Sequence, residues 1–385
     1  MFAPNLIEFV LPSRQEINTL DAIRNINTVL EFASKSDFEM GEKIWFIESP
    51  CGSNGGFSMG RVSARNAGPS QEFSIVSGEV TADRATQGST RARSTTLVNL
   101  LPPLTVATVV LFWMFGPKSL VESPWALIAA GGLTTTFVQL LEWGFERHAG
   151  WRLNIREFAT DVFYVLLGYT GISWLSQNLA ETPLMAIKES LGIATPGLAQ
   201  LPFLVQVAMV IVLFEFGQYW MHRLMHNSTP FWLTHAPHHH ITQLNAMKGY
   251  VGNPIELFLI SLSVLAFFDF AQAPVLCAFN VLGAVSAFAH ANVRANPPAF
   301  YSFFFTTIRH HSLHHSTDYE STRCNYANSL ILLDRMMGTF REGEATVVGQ
   351  DDLRRLSIRE QFMFPIRPLI DGIRSKAANG SSGAN

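Results

Sequence analysis

The sequence predicts an all-α integral membrane protein, with about four transmembrane helices, a shorter helical hairpin and a cytoplasmic histidine-rich helical cap. Three observations carry that expectation. The 385 residues are 48% hydrophobic but only 15% charged, well below the ~25% charge of an ordinary soluble domain. From Leu97 onward, apolar runs of membrane-crossing length follow one another. Eleven of the twelve histidines fall within residues 222–315, where even scatter would place about three.

The elements follow in chain order. Residues 1–95 are polar and rich in Ser, Gly, Ala and Arg, with short helical pieces such as 21–33. The stretch 49–96 has no periodicity and too little apolar surface to fold, so an N-terminal extension, largely disordered, is expected over 1–95. No basic stretch followed by an apolar run opens the chain, and no cleavable signal peptide is expected. Cys51, Cys277 and Cys324 are too few and too scattered for a disulfide framework. A net charge of -3 gives no general attraction to nucleic acid. A membrane-embedded catalytic domain is expected over 96–345, and a C-terminal tail over 346–385.

A membrane span needs ~20 apolar residues, with a range of ~17–25. The runs 97–115, 125–141, 158–175 and 203–220 qualify or nearly so. Two further runs, 255–270 and 275–289, flank Ala271-Gln272-Ala273-Pro274. Each gives only ~24 Å of helix, which falls short of a ~30 Å hydrocarbon core. They read as a hairpin that enters and leaves on one side. Orientation follows from Lys and Arg in the short flanks. Arg84, Arg91 and Arg93 precede the first span, and Arg147, Arg152 and Arg156 follow the second. Only Lys118 and Lys188 lie in the opposite loops. The fourth span therefore returns to the cytoplasm near His222, and the hairpin delivers His290 to the same face.

The histidines stand as His222-x-x-x-His226, His235-x-x-His238-His239, a lone His290 and His311-x-x-His314-His315. Imidazole is the commonest metal-binding side chain, and residues three or four apart on a helix are neighbours. A single structural zinc takes four ligands. Nine histidines therefore point to two metal ions with open positions, where oxygen can bind a redox metal. A lone histidine at a membrane edge is ordinarily a solvated residue, and three boxes together make that reading untenable. His148 reads as plain interfacial. His240 and His310 abut boxes off the favoured face and read as supporting residues. A ligating imidazole needs its other nitrogen held. Glu215 and Tyr219 lie on the helical stripe of His222, and Asp161 opens the third span; these three are candidates for that task. Asp318 reads as a turn residue.

With these residues in view, the chain resembles the fatty acid hydroxylase/sterol desaturase superfamily. Glu215-Phe-Gly-Gln-Tyr-Trp-Met-His222-Arg-Leu-Met-His226 is similar to its first box, and Thr234-His-Ala-Pro-His-His239 to its second. Phe288-Ala-His290-Ala-Asn-Val-Arg294 resembles the lone-histidine segment. His311-Ser-Leu-His-His-Ser316, Asn325-Tyr326 and Leu333-Asp-Arg-Met-Met-Gly-Thr-Phe340 resemble the third box and the C-terminal signature. The likeness covers about 142–340. Glu215 stands where the family usually has Asp. Pro237 interrupts the second box, so His235 is expected from a loop, with His238 and His239 opening a helix.

The resemblance implies a di-iron site that uses O2 to hydroxylate or desaturate an unactivated C–H bond of a lipid, of sterol or fatty-acyl type, taken from the bilayer. The chain has no Gly-rich dinucleotide fingerprint and no cysteine cluster for iron–sulfur. Electrons are then expected from an external donor, a reductase, ferredoxin or cytochrome. A membrane carrier or sensor holding haem or metal without lipid turnover is the alternative reading. A zinc hydrolase would need a carboxylate base, which His222-Arg-Leu-Met-His226 lacks.

Overall fold

The computed structural model describes residues 96–350 and 352–372. The expectations for 1–95, and for the last residues of the tail, lie outside the described residues. The described chain is helical, and among those residues it holds no strand, only isolated bridges pairing Glu146 with Val293 and Ser316 with Val348.

Four helices are long and apolar enough to cross a membrane: α1 (Thr96–Phe115), α3 (Ile155–Ser190), α4 (Phe203–Asn227) and α7 (Gln272–His290). The second expected run forms α2, the 21-residue helix Pro124–Gly144. Asn154 caps α3 by accepting from the amides of Arg156 at 3.1 Å and Glu157 at 3.0 Å. Two π-helical stretches, Gly168–Ile172 and Gln177–Glu181, lie within α3.

The expected hairpin has unequal arms. Its first arm, α6 (Pro254–Ser261), stops where Leu262 and Ser263 turn extended, and a single 3-10 turn, Val264–Phe267, follows. Its second arm is α7, a full 19 residues, or about 28 Å of helix. It is also the central helix, with 78% of its apolar window buried. It packs against α1, α2 and α4. Val275, Leu276, Val281 and Val285 meet Val109 and Trp113 of α1, Leu127 of α2, and Val210 and Phe214 of α4. Lipid tails are as apolar as leucine, so burying apolar surface does little to join helices there, and interhelical hydrogen bonds help. Trp113 Nε1 donates to Asn280 Oδ1 at 2.9 Å, and Asn280 Nδ2 donates to the Leu127 carbonyl at 3.2 Å. The outer faces of α1, α2 and α3 expose Leu97, Leu104, Leu111, Leu133 and Leu166, as lipid-facing surfaces do.

Beyond α4 come α5 (Thr229–His239), α8 (Ile308–His314), α9 (Leu332–Met337) and α10 (Ile358–Met363). The α5 helix corrects one expectation. It runs unbroken through Pro237 to His239, so His235 sits on a helix rather than a loop. Pro237 lies two residues from the helix end, where its missing N–H and its ring disturb only the last turn. The described part of the C-terminal segment packs onto this unit: Val348 joins Trp151, Tyr164 and Leu244 in one apolar cluster, and Leu356 and Gln361 are buried.

Candidate metal centre

Every histidine of the boxes, and His290, is buried. The structure gathers the nine into two groups. One holds His222, His226, His235, His239 and His314; the other holds His238, His290, His311 and His315. In each group the available ring nitrogens all lie within 4.8 Å of one another.

The boxes do not each serve one group, as shared faces alone would have it. Successive residues on a helix are rotated by about 100°, so i and i+4 stay close in direction while i+3 falls on the other side of i. In α5 the i, i+4 pair His235/His239 joins the first group and His238 the second. In the third box the pair His311/His315 joins the second group and His314 the first. The two helices thus interleave across the centre. The His239 and His315 rings stack at 4.4 Å, and His238 and His315 meet at 4.6 Å. The end of α7 brings the His290 ring to 4.1 Å from that of His311.

Five of the nine outer ring nitrogens are held from behind by a carbonyl or a carboxylate, while Nδ1 of His239, His311 and His315 has no hydrogen-bond partner among the described residues. His222 Nδ1 donates to the Tyr326 carbonyl at 2.6 Å, His238 Nδ1 to that of Val251 at 2.6 Å, and His314 Nδ1 to that of Cys324 at 2.8 Å. His290 Nδ1 donates to the Ser286 carbonyl one turn back at 2.8 Å. His235 Nδ1 meets a carboxylate, Glu256 Oε1, at 2.6 Å. A proton committed to Nδ1 leaves Nε2 as a bare lone pair. Burial keeps these imidazoles neutral: it pushes His235 down to about 3 and holds His239, His314 and His315 well below the ordinary value.

The Nε2 atoms converge on one another. Nε2···Nε2 separations are 2.9 Å for His222–His235, 3.1 Å for His226–His235, 3.0 Å for His235–His239 and 3.1 Å for His222–His314. In the second group His311 and His315 lie 3.1 Å apart, and His290 Nε2 is buried with no hydrogen-bond partner. Where both Nδ1 atoms are committed, as in His222–His235 and His222–His314, facing lone pairs at that distance repel unless a cation lies between them. Adjacent ligand atoms at a metal–nitrogen bond of about 2.1 Å stand about 3 Å apart, so the donor set fits metal ions.

The supporting residues expected from the sequence take partners other than the nine histidines. Glu215 hydrogen-bonds no histidine; its Oε2 accepts from the amides of Ser329 at 3.0 Å and Leu330 at 2.9 Å. Tyr219 hydrogen-bonds Thr339 Oγ1 at 2.9 Å. Asp161 accepts from Lys248 Nζ at 2.7 Å and Asn245 Nδ2 at 2.8 Å. His240 packs at a tilt against Phe364, and His310 reaches Thr307 Oγ1 at 3.3 Å and packs on Phe340. His148 is no plain interfacial residue either: its Nε2 meets Glu344 Oε1 at 2.7 Å, beside Arg147 at 2.6 Å from the same carboxylate.

Glu256 was missed, although a signal for it exists. Asn253-Pro-Ile-Glu256 is a helix-capping pattern. Asn253 Oδ1 accepts from the Ile255 amide at 2.9 Å, and Glu256 Oε2 accepts from the Asn253 amide at 3.1 Å. The carboxylate that closes the cap of α6 thus turns its second oxygen to His235. Asp334 was also missed. It is fully buried and accepts from the amides of Tyr326 and Ala327, both at 2.8 Å, which fixes the turn whose carbonyl holds His222.

Residues 207–339 match the family model described as fatty acid hydroxylase. The chain is 30% identical over 222 residues to the ornithine lipid hydroxylase OlsE of Rhizobium tropici, a match covering 54% of this chain and 64% of that protein. It is 30% identical over 139 residues to the alkylglycerol monooxygenase of Homo sapiens, covering 35% of this chain and 31% of that one. The Xenopus tropicalis alkylglycerol monooxygenase is 29% identical over 137 residues, 33% of this chain and 28% of its own. The chain therefore spans less than two thirds of the length of these curated relatives. No solved structure matches it.

Proposed function

The chain belongs, through residues 207–339, to the fatty acid hydroxylase family, and from that premise we propose that it is a membrane oxygenase that hydroxylates a lipid. The observation that carries this reading is the pair of buried histidine groups with converging ring nitrogens. His222, His226, His235, His239 and His314 would hold one metal, and His238, His290, His311 and His315 the other. Two iron ions bound there supply dioxygen activation strong enough for an unactivated C–H bond. One oxygen atom enters the C–H bond, the other leaves as water, and two electrons and two protons come from an external donor. The chain's own part is to hold the nitrogens neutral and aimed, and to exclude water. The relatives are named as a hydroxylase and a monooxygenase, which favours oxygen insertion over desaturation.

The Lys and Arg pattern favours a cytoplasmic histidine face, where a reductase, ferredoxin or cytochrome could reach it. A haem carrier fits less well. A haem takes two axial ligands on opposite faces of its ring, whereas each group here gathers four or five ring nitrogens into the space that the macrocycle would need.

The test is elemental analysis of the detergent-purified full chain with an optical spectrum. Near two irons per chain without a Soret band, together with a hydroxylated lipid that needs O2 and reductant, is the expected result. A Soret band, or full iron loading with no oxygenated lipid in cells expressing the chain, overturns the reading.

A further inference from the structure

The described C-terminal segment carries an apolar face outside the stretch that matches the family. Helix α10 passes into a 3-10 turn, Phe364–Ile366, and residues 367–372 are again helical. The inner side of this segment is fastened down. Leu356 and Gln361 are buried, and Gln361 Oε1 accepts from the Tyr164 hydroxyl of α3. Asn253, the cap of α6, donates through Nδ2 to the carbonyls of Gln361 at 2.7 Å and Phe362 at 3.1 Å. The outer side exposes Phe362, Met363, Ile366 and Leu369, the last 66% exposed. Phe362, Ile366 and Leu369 recur at steps of four and three, the spacing of one helical stripe. Large apolar side chains gathered on a surface mark a contact with a membrane or a partner.

Two observations decide for the membrane. The first is continuity. The Phe362 ring lies 6.3 Å from that of Phe163 on α3, a helix long and apolar enough to cross a bilayer. Phe163 is exposed, as are Phe158 and Ile155 nearer the start of α3 and Ile255 of α6. The apolar face therefore extends the lipid-facing surface of α3 at its N-terminal end. The second is charge. Arg355 donates to the Arg156 carbonyl at 3.4 Å and to Thr160 Oγ1 at 2.6 Å, which draws the start of α10 onto the start of α3. Arg354 and Arg367 are paired with Glu360 at 2.8 Å and Asp371 at 3.9 Å. The Glu157 carboxylate, next to Arg156 in the chain, is taken up by Lys248 and Arg355. Arg156 and Arg359 remain exposed with no acidic partner among the described residues. A protein covering this face would have to bring acids with it. A bilayer already meets α3 there and offers phosphates, which long arginine side chains reach while their stems stay among apolar groups.

We propose that residues 356–372 lie in the headgroup boundary of the bilayer that α3 crosses, with Phe362, Ile366 and Leu369 toward the acyl chains and Arg156 and Arg359 on the headgroups of anionic lipids. An apolar stripe edged by arginines is the arrangement of a helix that lies on a membrane rather than across it. The assignment is independent of the oxygenase reading.

The experiment is photocrosslinking of the full chain in nanodiscs of phosphatidylcholine and phosphatidylserine in equal amounts. Benzoylphenylalanine replaces Ile366, Leu369 or Asp371, one at a time, and mass spectrometry identifies what is captured. Positions 366 and 369 should capture lipid, and position 371, on the opposite side of the helix from 369, much less. The captured lipid should favour phosphatidylserine by about fivefold, the worth of one arginine near an anionic surface. Arg156→Gln together with Arg359→Gln should abolish that preference while lipid capture, thermal midpoint and metal content stay the same. Capture at 366 of a second copy, or of this chain's own N-terminal residues, overturns the proposal. So does lipid capture at 371 equal to that at 366, or a phosphatidylserine preference that is absent or unmoved by the double substitution.

Discussion

At the scale of single residues, the interleaving of the boxes separates the two groups experimentally. His314 belongs to the first and His238 to the second. His314→Ala and His238→Ala should each leave about one metal per chain by elemental analysis, from different groups. Product formation should fall below detection in both, while membrane insertion is kept. Retained product formation in either would remove that histidine from the centre. Glu256→Gln should keep the N-cap acceptor and lose the charge against His235, weakening the first group's metal affinity by ~10–100-fold. Chelator competition on the purified protein measures this, and the second group should be unmoved.

At the scale of elements, Glu215 is a clamp between α4 and the loop that follows the third box. Removing its carboxylate leaves the buried amides of Ser329 and Leu330 unpaired, at roughly 1–3 kcal/mol for each. Glu215→Ala should therefore lower the thermal midpoint strongly, while Glu215→Gln, which keeps an acceptor, should recover most of it. Equal loss in both would mean that the charge, not the hydrogen bonding, is what the loop needs. The sequence placed Glu215 on the stripe of His222 correctly, but a stripe does not say what packs against it. The same limit applies to Asp161, whose partner Lys248 comes from 87 residues away. The hairpin was misjudged for a related reason. Both arms have similar length and apolarity, and only packing distinguishes a broken outer arm from the central α7.

At the scale of the whole molecule, the loop after α2 is tied to the C-terminal half through Arg147, His148 and Glu344. Burial pulls the Glu344 carboxyl upward, but hydrogen bonds and charge from Arg147 and His148 outweigh it and bring the group from 4.5 to about 2. The folded value is depressed, so the tie contributes fully above the unfolded carboxylate value and is lost as pH falls toward 2. Hydrogen exchange at 145–148 and 292–294 should rise between pH 5 and pH 3, and Glu344→Gln should raise it at pH 7 and flatten that dependence. An unchanged profile in the variant would show that another group governs the region. Orientation is tested on the same scale: a cysteine placed at Arg323 should react with an impermeant maleimide only from the cytoplasmic side.

By itself, the sequence determined that this is a helical membrane protein, where its apolar helices run, and which nine imidazoles concentrate in one region. Helical period, apolar length and residue chemistry are local properties, and local properties can be read along a chain. Tertiary structure decided the rest. It divided the triplets between two groups, gave His235 its carboxylate from Glu256, and made α7 the central helix. Each of these depends on which faces of distant helices meet, and that follows from packing the whole set at once.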